Sequence, residues 1–282
     1  MEGLSFSDLK NKVCVLTGGG GVIGSVFALG LAEAGVKVAI LDFNKQSADK
    51  LAETINLKFP KSALGVFANV LEKESLLAAK KEINKEFGKI DILINGAGGN
   101  APTATTKDEF ITDENVNDFS KTFFGLDIQG FRNVFDLNFL GTVLPTMVFT
   151  EDMLQGGGSV INISSMNSYR PLTKIPAYSA AKASINNLTQ WLAVHFAKVN
   201  VRVNAIAPGF FLTNQNRFLL IDEKSGELTP RGHKIMSGTP MNRFGEPEEL
   251  IGTLLFLASD TAKFVTGIVI PVDGGFSAYS GV

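Results

Sequence analysis

Short apolar runs alternate along the whole chain with longer segments whose apolar residues have helical spacing. The runs lie at Val13–Thr17, Val36–Asp42, Ala63–Ala68, Ile90–Asn95, Ser159–Ser164, Val201–Ala207 and Gly267–Val272. The helical segments include Ser47–Phe59, Lys73–Phe87 and Ala177–Val199. Strands that alternate with helices are typical of a parallel sheet covered by helices on both faces. Because no linker rich in Pro, Gly or Ser interrupts the pattern, it predicts a single doubly wound α/β domain over residues 1–282, with a seven-stranded parallel sheet.

Two segments, Gly96–Phe135 and Gly209–Pro240, are longer than the ordinary connections of such a sheet. Each follows a predicted strand, so both emerge at the carboxyl edge of the sheet, where doubly wound folds bind ligands. We therefore expect two long active-site loops. The first loop carries an acidic stretch and several phenylalanines, which either pack it onto the body or form an interface between subunits. These are Phe110, Phe119, Phe123 and Phe124.

The composition excludes several classes of protein. The chain has 26 Lys and Arg against 28 Asp and Glu, and this net charge of −2 argues against a nucleic-acid partner. Apolar residues make up 45% of the chain, which excludes a mostly disordered protein. No segment resembles a signal peptide or a membrane span, and a lone cysteine fits a reducing compartment. We expect a cytoplasmic protein with a buried, inert Cys14 thiol and no metal site, because the two histidines lack ligand spacing.

A glycine-rich turn follows the first predicted strand and runs into a helix that we expect to start near Ser25. Glycines permit a tight turn and a close approach to a pyrophosphate, and the helix N-terminus presents free N–H groups to it. The position within a βαβ unit predicts a Rossmann-type dinucleotide site, although a merely flexible turn is the alternative. The expected contacts are Gly18, Gly20, Gly21, Val22, Ile23 and Gly24.

The ends of the next strands supply further candidate contacts to the cofactor. Asp42 ends the second strand, where an acid accepts hydrogen bonds from ribose hydroxyls and repels a 2′-phosphate. With only Lys45 nearby as a cation, we expect NAD(H) over NADP(H); a solvated strand-end carboxylate is the alternative. Asn69 faces the adenine or caps the next helix. The remaining candidates at these strand ends are Val70, Asn95, Ala97 and Gly98.

Tyr178 and Lys182 begin a predicted helix just after Pro176, and residues four apart lie on one helical face. A nearby ammonium is expected to lower the phenol's pKa from about 10, so that the tyrosine can exchange a proton with a carbonyl or alcohol oxygen. Ser165, at the end of the fifth strand, can hydrogen-bond the same oxygen. Together with the upstream glycine turn, these residues predict an oxidoreductase active site.

The chain resembles the short-chain dehydrogenase/reductase family over nearly its whole length. The matching segments are TGGGGVIG (17–24), NGAG (95–98), NFLGT (138–142), ISS (163–165), YSAAK (178–182), APG (207–209) and VDGG (272–275). The resemblance implies that Tyr178 is the general acid/base, that Ser165 orients the substrate oxygen, and that Lys182 lowers the Tyr178 pKa and binds the nicotinamide ribose. It implies further that Asn138 holds a water in a proton relay.

The same resemblance implies that Thr213, after Pro208 and Gly209, contacts the nicotinamide amide or the pyrophosphate. Two positions depart from the family pattern. Val22 stands where the family usually has glycine, so its backbone must be right-handed. Asn69 replaces the usual aspartate and keeps an acceptor oxygen.

Both long segments and the C-terminal tail are similar to a subgroup of the family that interconverts D-fructuronate and D-mannonate. This similarity implies an NADH-dependent sugar-acid reductase. Because a sugar acid needs cationic and amide groups near its reacting carbonyl, we expect Asn100, Arg170 and Asn216 on the loops to contact it, although each could face solvent instead. The family resemblance implies a homotetrameric assembly. The alternatives are a reductase of the same mechanism for another sugar acid, a polyol or a 3-ketoacyl thioester, or a nucleotide-binding sensor without turnover. We expect His195, four residues after Trp191, to be a packing or interface residue.

Overall fold

A computed structural model of the chain describes residues 5–213, 217–222 and 225–281. Seven strands, all parallel, form a sheet in the order β3-β2-β1-β4-β5-β6-β7, which confirms the predicted fold class. The strands are β1 Val13–Thr17, β2 Lys37–Asp42, β3 Ala63–Phe67, β4 Ile92–Asn95, β5 Gly158–Ile163, β6 Val201–Pro208 and β7 Val269–Val272. The helices are α1 Val22–Glu33, α2 Lys45–Lys58, α3 Lys73–Glu86, α4 Ile128–Phe149, α5 Pro176–Phe196, α6 Arg217–Leu220, α7 Pro230–Ser237 and α8 Ile251–Ala258.

Helices cover both faces of the sheet, and successive strand residues supply the two cores. Cys14 and Leu16 of β1 pack into a cluster with α1, α2 and α8. Val13 and Val15 point the other way, into a cluster with α3, α4 and α5. Because both faces are buried, the strands are continuous apolar runs. Burial also raises the pKa of the Cys14 thiol far above its ordinary value, so the expectation of a buried thiol is confirmed.

The first helix begins three residues earlier than expected, at Val22 instead of near Ser25. Gly21 is the extended N-cap residue, and the N–H of Ser25 donates to its carbonyl at 2.8 Å. Val22 is therefore helical and right-handed, as its side chain requires. The left-handed position of the turn is Gly18, with φ of 66°.

The two long segments contain more regular structure than the sequence suggested. Helix α4 already starts at Ile128, because the Asp127 carboxylate accepts hydrogen bonds from the N–H groups of Gln129 and Gly130. The irregular part after β4 is therefore residues 96–127, which contain only short 3-10 turns. The second segment contains α6 and α7, the latter capped by Thr229 with Pro230 in its first position. Among the described helices, none has the length and apolar character needed to cross a membrane.

The strand order places the expected ligand-binding crevice beside β1 and β4, near the middle of the sheet. The chain moves outward from β1 through β2 to β3 and then returns to pair β4 with β1. At such a reversal, the connections leave in opposite directions and open a crevice beyond the carboxyl ends of the strands. The glycine turn after β1 and the loop after β4 therefore meet at the same place.

Candidate active site

A cleft of about 820 Å³ lies along the carboxyl ends of the strands. This volume is in the range of about 300–1,000 Å³ that is typical of small-molecule sites. Most of the predicted cofactor and catalytic residues line it: Gly18, Gly21, Val22, Ile23, Gly24, Asp42, Asn69, Val70, Ala97, Gly98, Ser165, Tyr178, Lys182, Pro208, Gly209 and Thr213. Of the predicted set, Gly20, Asn95 and Asn138 are described but do not line the cleft.

The glycine turn packs so tightly that side chains have no room in it. A Cβ atom on Gly24 would lie 2.5 Å from the Gly18 carbonyl oxygen, and one on Gly18 would lie 2.8 Å from the Ala97 Cα. The turn thus brings bare backbone and the first N–H groups of α1 to the cleft. Those N–H groups have no partners within the helix and carry its positive end, so the turn fits an anionic pyrophosphate. The residues present therefore fit a dinucleotide.

Gly20 stabilises the glycine turn on the side that faces β2. Its N–H donates a 3.0 Å hydrogen bond to Oδ2 of Asp42, which turns the residue toward β2 and away from the cleft. The other carboxylate oxygen of Asp42 accepts from the N–H of Asn44 at 2.9 Å. The carboxylate is thus fixed in place at the cleft wall. Lys45, the cation nearest in sequence, instead pairs with Asp49 at 2.7 Å.

The side chains of Asn69 and Asn95, at the ends of two strands, lie in different environments. Asn69 lines the cleft while its side chain accepts from the Leu71 N–H at 3.1 Å and donates to Glu72 at 2.9 Å, organising the turn before α3. Asn95 is buried beneath the sheet edge, and its Nδ2 donates to Thr146 and Asn162, both at 2.9 Å. The side-chain amide of Asn95 therefore joins β4 to β5 and α4 and does not line the cleft, so it gives the predicted cofactor contact no support.

Ser165, Tyr178 and Lys182 lie together at the end of β5 and the start of α5. The hydroxyl of Ser165 lies close enough to the Tyr178 phenol to affect its pKa, and the Ser165 Oγ accepts from the Asn167 N–H at 3.2 Å. The Nζ of Lys182 donates to the Ile163 carbonyl at 2.7 Å and lies 5.5 Å from the centre of the Tyr178 ring. A hydroxyl pair with a buried cation behind it can bind an oxygen and exchange a proton with it.

Burial dominates the electrostatics of this group. It raises the pKa of the Tyr178 phenol above its ordinary value, and the hydrogen bond from Ser165 only partly opposes that rise. Burial also lowers the pKa of Lys182 to about 8. The net shift of the Tyr178 pKa is therefore upward, where a lowered pKa was expected, because burial removes the phenolate from water. A lowering effect of Lys182 stays a prediction.

The side chain of Asn138 binds backbone groups, and its expected role in a proton relay stays a prediction. It is fully buried in α4, and its Nδ2 donates to the carbonyls of Gly99 and Val134, both at 2.7 Å. Its Oδ1 accepts from the Gly99 N–H at 3.2 Å. Asn138 thus binds both polar groups of Gly99 and fixes the loop after β4. A Cβ on Gly98 would meet both Asn138 and Lys182, so the three residues are packed closely.

The two predicted substrate contacts that the structure describes, Asn100 and Arg170, do not line the cleft. Asn100 donates to Thr105 Oγ1 at 2.9 Å within its own loop. The Nε of Arg170 donates to the carbonyl of Ser277 at 2.9 Å, which ties the loop after β5 to the C-terminal segment. Asn216 lies outside the described residues. The cleft instead includes Phe210 and Phe211, which sequence reasoning missed although they directly follow the Pro208-Gly209 pair.

The two long segments touch each other through an ion pair. Glu109 of the first binds Lys234 of α7, and the Lys234 ammonium also lies 6.0 Å from the centre of the Phe110 ring. The Lys234 hydrogen bond, aided by Lys174 and Arg231, lowers the pKa of the Glu109 carboxyl. A second cavity of about 260 Å³ lies beside this pair, between residues 106–111, 122–123 and 171–176.

The phenylalanines of the first segment do not pack onto the body of the protein. Phe110, Phe123 and Phe124 are each more than half exposed. Phe124 instead contacts Phe119 and Phe123, with ring centres 5.0 and 6.0 Å apart. The expectation of packing onto the body is therefore wrong, and an interface between subunits stays a prediction. His195 stacks on Trp191 with ring centres 4.7 Å apart, and both side chains are exposed, so a packing or interface role stays a prediction.

A family model described as enoyl-(acyl carrier protein) reductase, one of the short-chain dehydrogenase/reductase models, matches residues 20–277. The chain belongs to the short-chain dehydrogenase/reductase family. It is an oxidoreductase of that family. The match begins within the glycine turn and includes both long segments and the site around Tyr178, so it covers most of the residues that line the cleft.

Within this family the chain is similar to two bacterial relatives over almost their full length. One, from Haemophilus influenzae, is 54% identical over 98% of this chain and 96% of its own, and is described as an uncharacterized oxidoreductase. The other, from Bacillus subtilis, is 52% identical over 98% of both chains and is described as an uncharacterized oxidoreductase UxuB. A solved Haemophilus structure with bound NAD, described as a proposed D-mannonate oxidoreductase, is 53% identical and covers 98% of each chain with a TM-score of 0.93.

Proposed function

We propose that this short-chain oxidoreductase binds NAD(H) in the cleft and interconverts D-fructuronate and D-mannonate. The observation that carries the substrate is the likeness to the Haemophilus structure with bound NAD, described as a proposed D-mannonate oxidoreductase, at 53% identity and a TM-score of 0.93. At that identity, 98% coverage includes the long segments and the C-terminal tail, where reductases of one family differ most. The chemistry itself is supported by the hydroxyl pair of Ser165 and Tyr178 beside Lys182.

The cofactor preference rests on Asp42. Its carboxylate lines the cleft and is fixed by the N–H groups of Gly20 and Asn44, so it is in position to accept hydrogen bonds from ribose hydroxyls. A 2′-phosphate there would meet a negative charge, and the nearby Lys45 is already paired with Asp49. NAD(H) is therefore preferred over NADP(H). When bound, the nicotinamide supplies the hydride to a carbonyl carbon or accepts it from an alcohol.

Tyr178 supplies the proton in the reductive direction. Because burial raises its pKa, the phenol is protonated at neutral pH and donates its proton from Oη to the oxygen that gains negative charge. Ser165 hydrogen-bonds the same oxygen and stabilises the developing alkoxide. The ammonium of Lys182, held by the Ile163 carbonyl, stabilises the phenolate left behind until the proton is replaced from solvent.

The carboxylate of a sugar acid needs a cation near the reacting centre. Arg170 is engaged with the C-terminal segment, so Lys174 is the better candidate. It lies four residues before Tyr178 and lines the second cavity, next to Glu109 and Pro176. We therefore place the substrate's carboxylate on the side of the cleft that faces the first long segment.

A substrate panel tests the proposed function. Purified protein is mixed with NADH and D-fructuronate, D-tagaturonate, a neutral ketose or a 3-ketoacyl thioester, and the fall in NADH absorbance is followed; NADPH is then substituted. We expect rapid oxidation of NADH with D-fructuronate only. Turnover of another panel member would change the assigned substrate but leave the assignment as a reductase in place. Binding of NADH without turnover of any member would instead support a nucleotide sensor.

We also propose that the protein is a homotetramer. The outer faces of α4 and α5 expose large apolar side chains, including Met147, Trp191 and Val194, of which Val194 is 80% exposed. Apolar surface of this kind on neighbouring helices favours association with another copy of the chain. Light scattering on the purified protein should give four times the mass of the chain. Val194→Asp should reduce that mass. A wild-type mass equal to that of one chain would contradict the tetramer.

A further inference from the structure

Asn186 lies one helical turn after Lys182 and two turns after Tyr178 on α5, so the three side chains lie along one face of the helix. Its half-buried amide contacts two serines in the segment that follows β5. Ser164 Oγ donates to Asn186 Oδ1 at 2.6 Å. Asn186 Nδ2 donates to Ser168 Oγ at 2.8 Å. One side chain of α5 therefore binds on both sides of Ser165.

The hydrogen bonds continue from Ser168 to the backbone of Ser165. The Ser168 Oγ donates to the Ser165 carbonyl at 2.6 Å, and the Ser168 N–H donates to the same oxygen at 2.9 Å. This closes the single 3-10 turn Met166–Ser168, which begins at Ser165. The result is a chain of donors and acceptors that runs from Ser164 through Asn186 and Ser168 to Ser165.

The direction of this chain follows from counting protons. A serine hydroxyl has one proton, and Ser168 must use it on the Ser165 carbonyl, because two oxygens 2.6 Å apart repel without a proton between them. Ser168 can then only accept from Asn186, so the Nδ2 of Asn186 must face it. The Oδ1 must face Ser164, which has a poorer second acceptor in the Lys182 carbonyl at 3.4 Å. The amide therefore has one satisfactory orientation.

We propose that Asn186 is a positioning residue that holds Ser165 in register with Tyr178. This role rests on the proposed function, because that function assigns the proton transfer to Tyr178 and Ser165. Tyr178 is fixed by α5, whereas Ser165 lies in a turn beyond the end of β5. Asn186 ties this turn to the helix that carries Tyr178. A shift of about 1 Å between reacting groups can cost about 100-fold in rate, so a small loosening of the turn is visible in kcat.

Kinetics on two single variants and their combination test the role. For whichever substrate the wild type reduces, we expect Asn186→Ala and Ser168→Ala each to lower kcat about tenfold, with the KM for NADH unchanged. The double variant should be no worse than either single variant, because both break one chain of hydrogen bonds. The matched control is Asn187→Ala, the exposed neighbour on the same helix, which should keep the wild-type kcat. Circular dichroism establishes that each variant is folded.

A second measurement reads the Ser165–Tyr178 contact without turnover. The chain has three tyrosines, so protein labelled with 3-fluorotyrosine gives a ¹⁹F signal for each, and Tyr178→Phe assigns one of them. Since the hydrogen bond to Ser165 lowers the pKa of Tyr178, its loss should move the titration of that signal to higher pH. We expect this in Asn186→Ala and Ser168→Ala but not in Asn187→Ala.

The two measurements separate the two proposals. If the wild type turns over no substrate but the ¹⁹F titration moves as expected, the proposed function fails and the positioning of Ser165 stands. If the wild type is active and both variants keep its kcat and its titration, the positioning role of Asn186 is overturned. Loss of the fold in Asn186→Ala alone leaves Ser168→Ala to decide, since this substitution removes a single half-buried hydroxyl.

Discussion

The Nζ of Lys182 donates a 2.7 Å hydrogen bond to the main-chain carbonyl of Ile163, which holds the ammonium of α5 against the end of β5. The side chain is buried, and burial lowers its pKa to about 8. A cation in this place is unfavourable for folding, and in the proposed mechanism it stabilises the charge that Tyr178 acquires when it gives up its proton. Lys182 therefore links the stability of the fold to its chemistry.

Lys182→Met should make the protein more stable and inactive. The folded pKa of about 8 lies below the unfolded value of 10.5, so at neutral pH the buried charge costs on the order of 3 kcal/mol. The lost bond to Ile163 offsets part of this, and we expect a net gain of about 1–2 kcal/mol. Between these two pH values the unfolded chain binds more protons than the folded chain. The free energy of unfolding of the wild type should therefore rise toward that of the variant as the pH increases above 8.

Urea unfolding at several pH values measures this difference. Lys81→Met, which removes an exposed lysine from α3, is the control and should stay within about 0.5 kcal/mol of the wild type. A Lys182→Met variant that is less stable than the wild type at neutral pH would show that the ammonium is better solvated than its burial indicates.

The rate of ketone reduction should fall as the pH rises through about 8, where Lys182 loses its charge. Tyr178 does not set this limb, because burial keeps its phenol protonated to higher pH. Lys182→Arg keeps a positive charge at all accessible pH values, so its profile should stay level through this range, at a lower plateau. The measurement is kcat/KM against pH for both proteins. If the arginine variant shows the same fall in rate near pH 8, a group other than Lys182 causes it.

Tyr178→Phe should lower kcat by about 100- to 10,000-fold, the usual contribution of a positioned proton donor. Ser165→Ala should cost less, since it removes one of two groups on the substrate oxygen. Neither variant should change the dissociation constant of NADH by more than about threefold. Tyr169→Phe is the matched control, because its hydroxyl donates to the Val269 carbonyl, away from the other hydroxyls of the site. Steady-state rates and NADH fluorescence titrations provide the comparison.

Asp42→Asn should weaken the preference for NADH over NADPH by at least about tenfold, or 1.4 kcal/mol. The amide retains an oxygen for one of the N–H groups of Gly20 and Asn44 but removes the charge that faces a 2′-phosphate. The ratio of kcat/KM for the two coenzymes measures the effect. Asp113→Asn, in the exposed part of the first long segment, should leave the ratio unchanged. An equal preference for NADH over NADPH in the wild type and in Asp42→Asn would mean that another residue discriminates between the two coenzymes.

The features that the sequence predicted well are those with a local cause. Continuous apolar runs identified the strands because both faces of the sheet are buried. The four-residue spacing of Tyr178 and Lys182 placed both on one face of α5. The start of α4 was missed although its signal is local, since Asp127 caps the helix with its own carboxylate.

The features that were missed depend on contacts between distant parts of the chain. Asn95 ends a strand beside the cleft, but its amide turns inward to residues that follow it by 51 and 67 positions. Arg170 reaches a carbonyl 107 positions away, which no local pattern indicates. Asn186 stands at a helical spacing from Tyr178 that was readable, yet its two serine partners come from the preceding segment and only the fold shows them together.

Transfer of an isotope from the coenzyme to the product is the decisive test of hydride transfer to D-fructuronate in this cleft. NADH with deuterium at both positions of C4 of the nicotinamide is incubated with the protein and D-fructuronate, and the product is analysed by mass spectrometry and NMR. We predict D-mannonate that carries one deuterium on the carbon that was the ketone. The absence of deuterium from that carbon, or the formation of the epimeric acid, would contradict the proposed reaction.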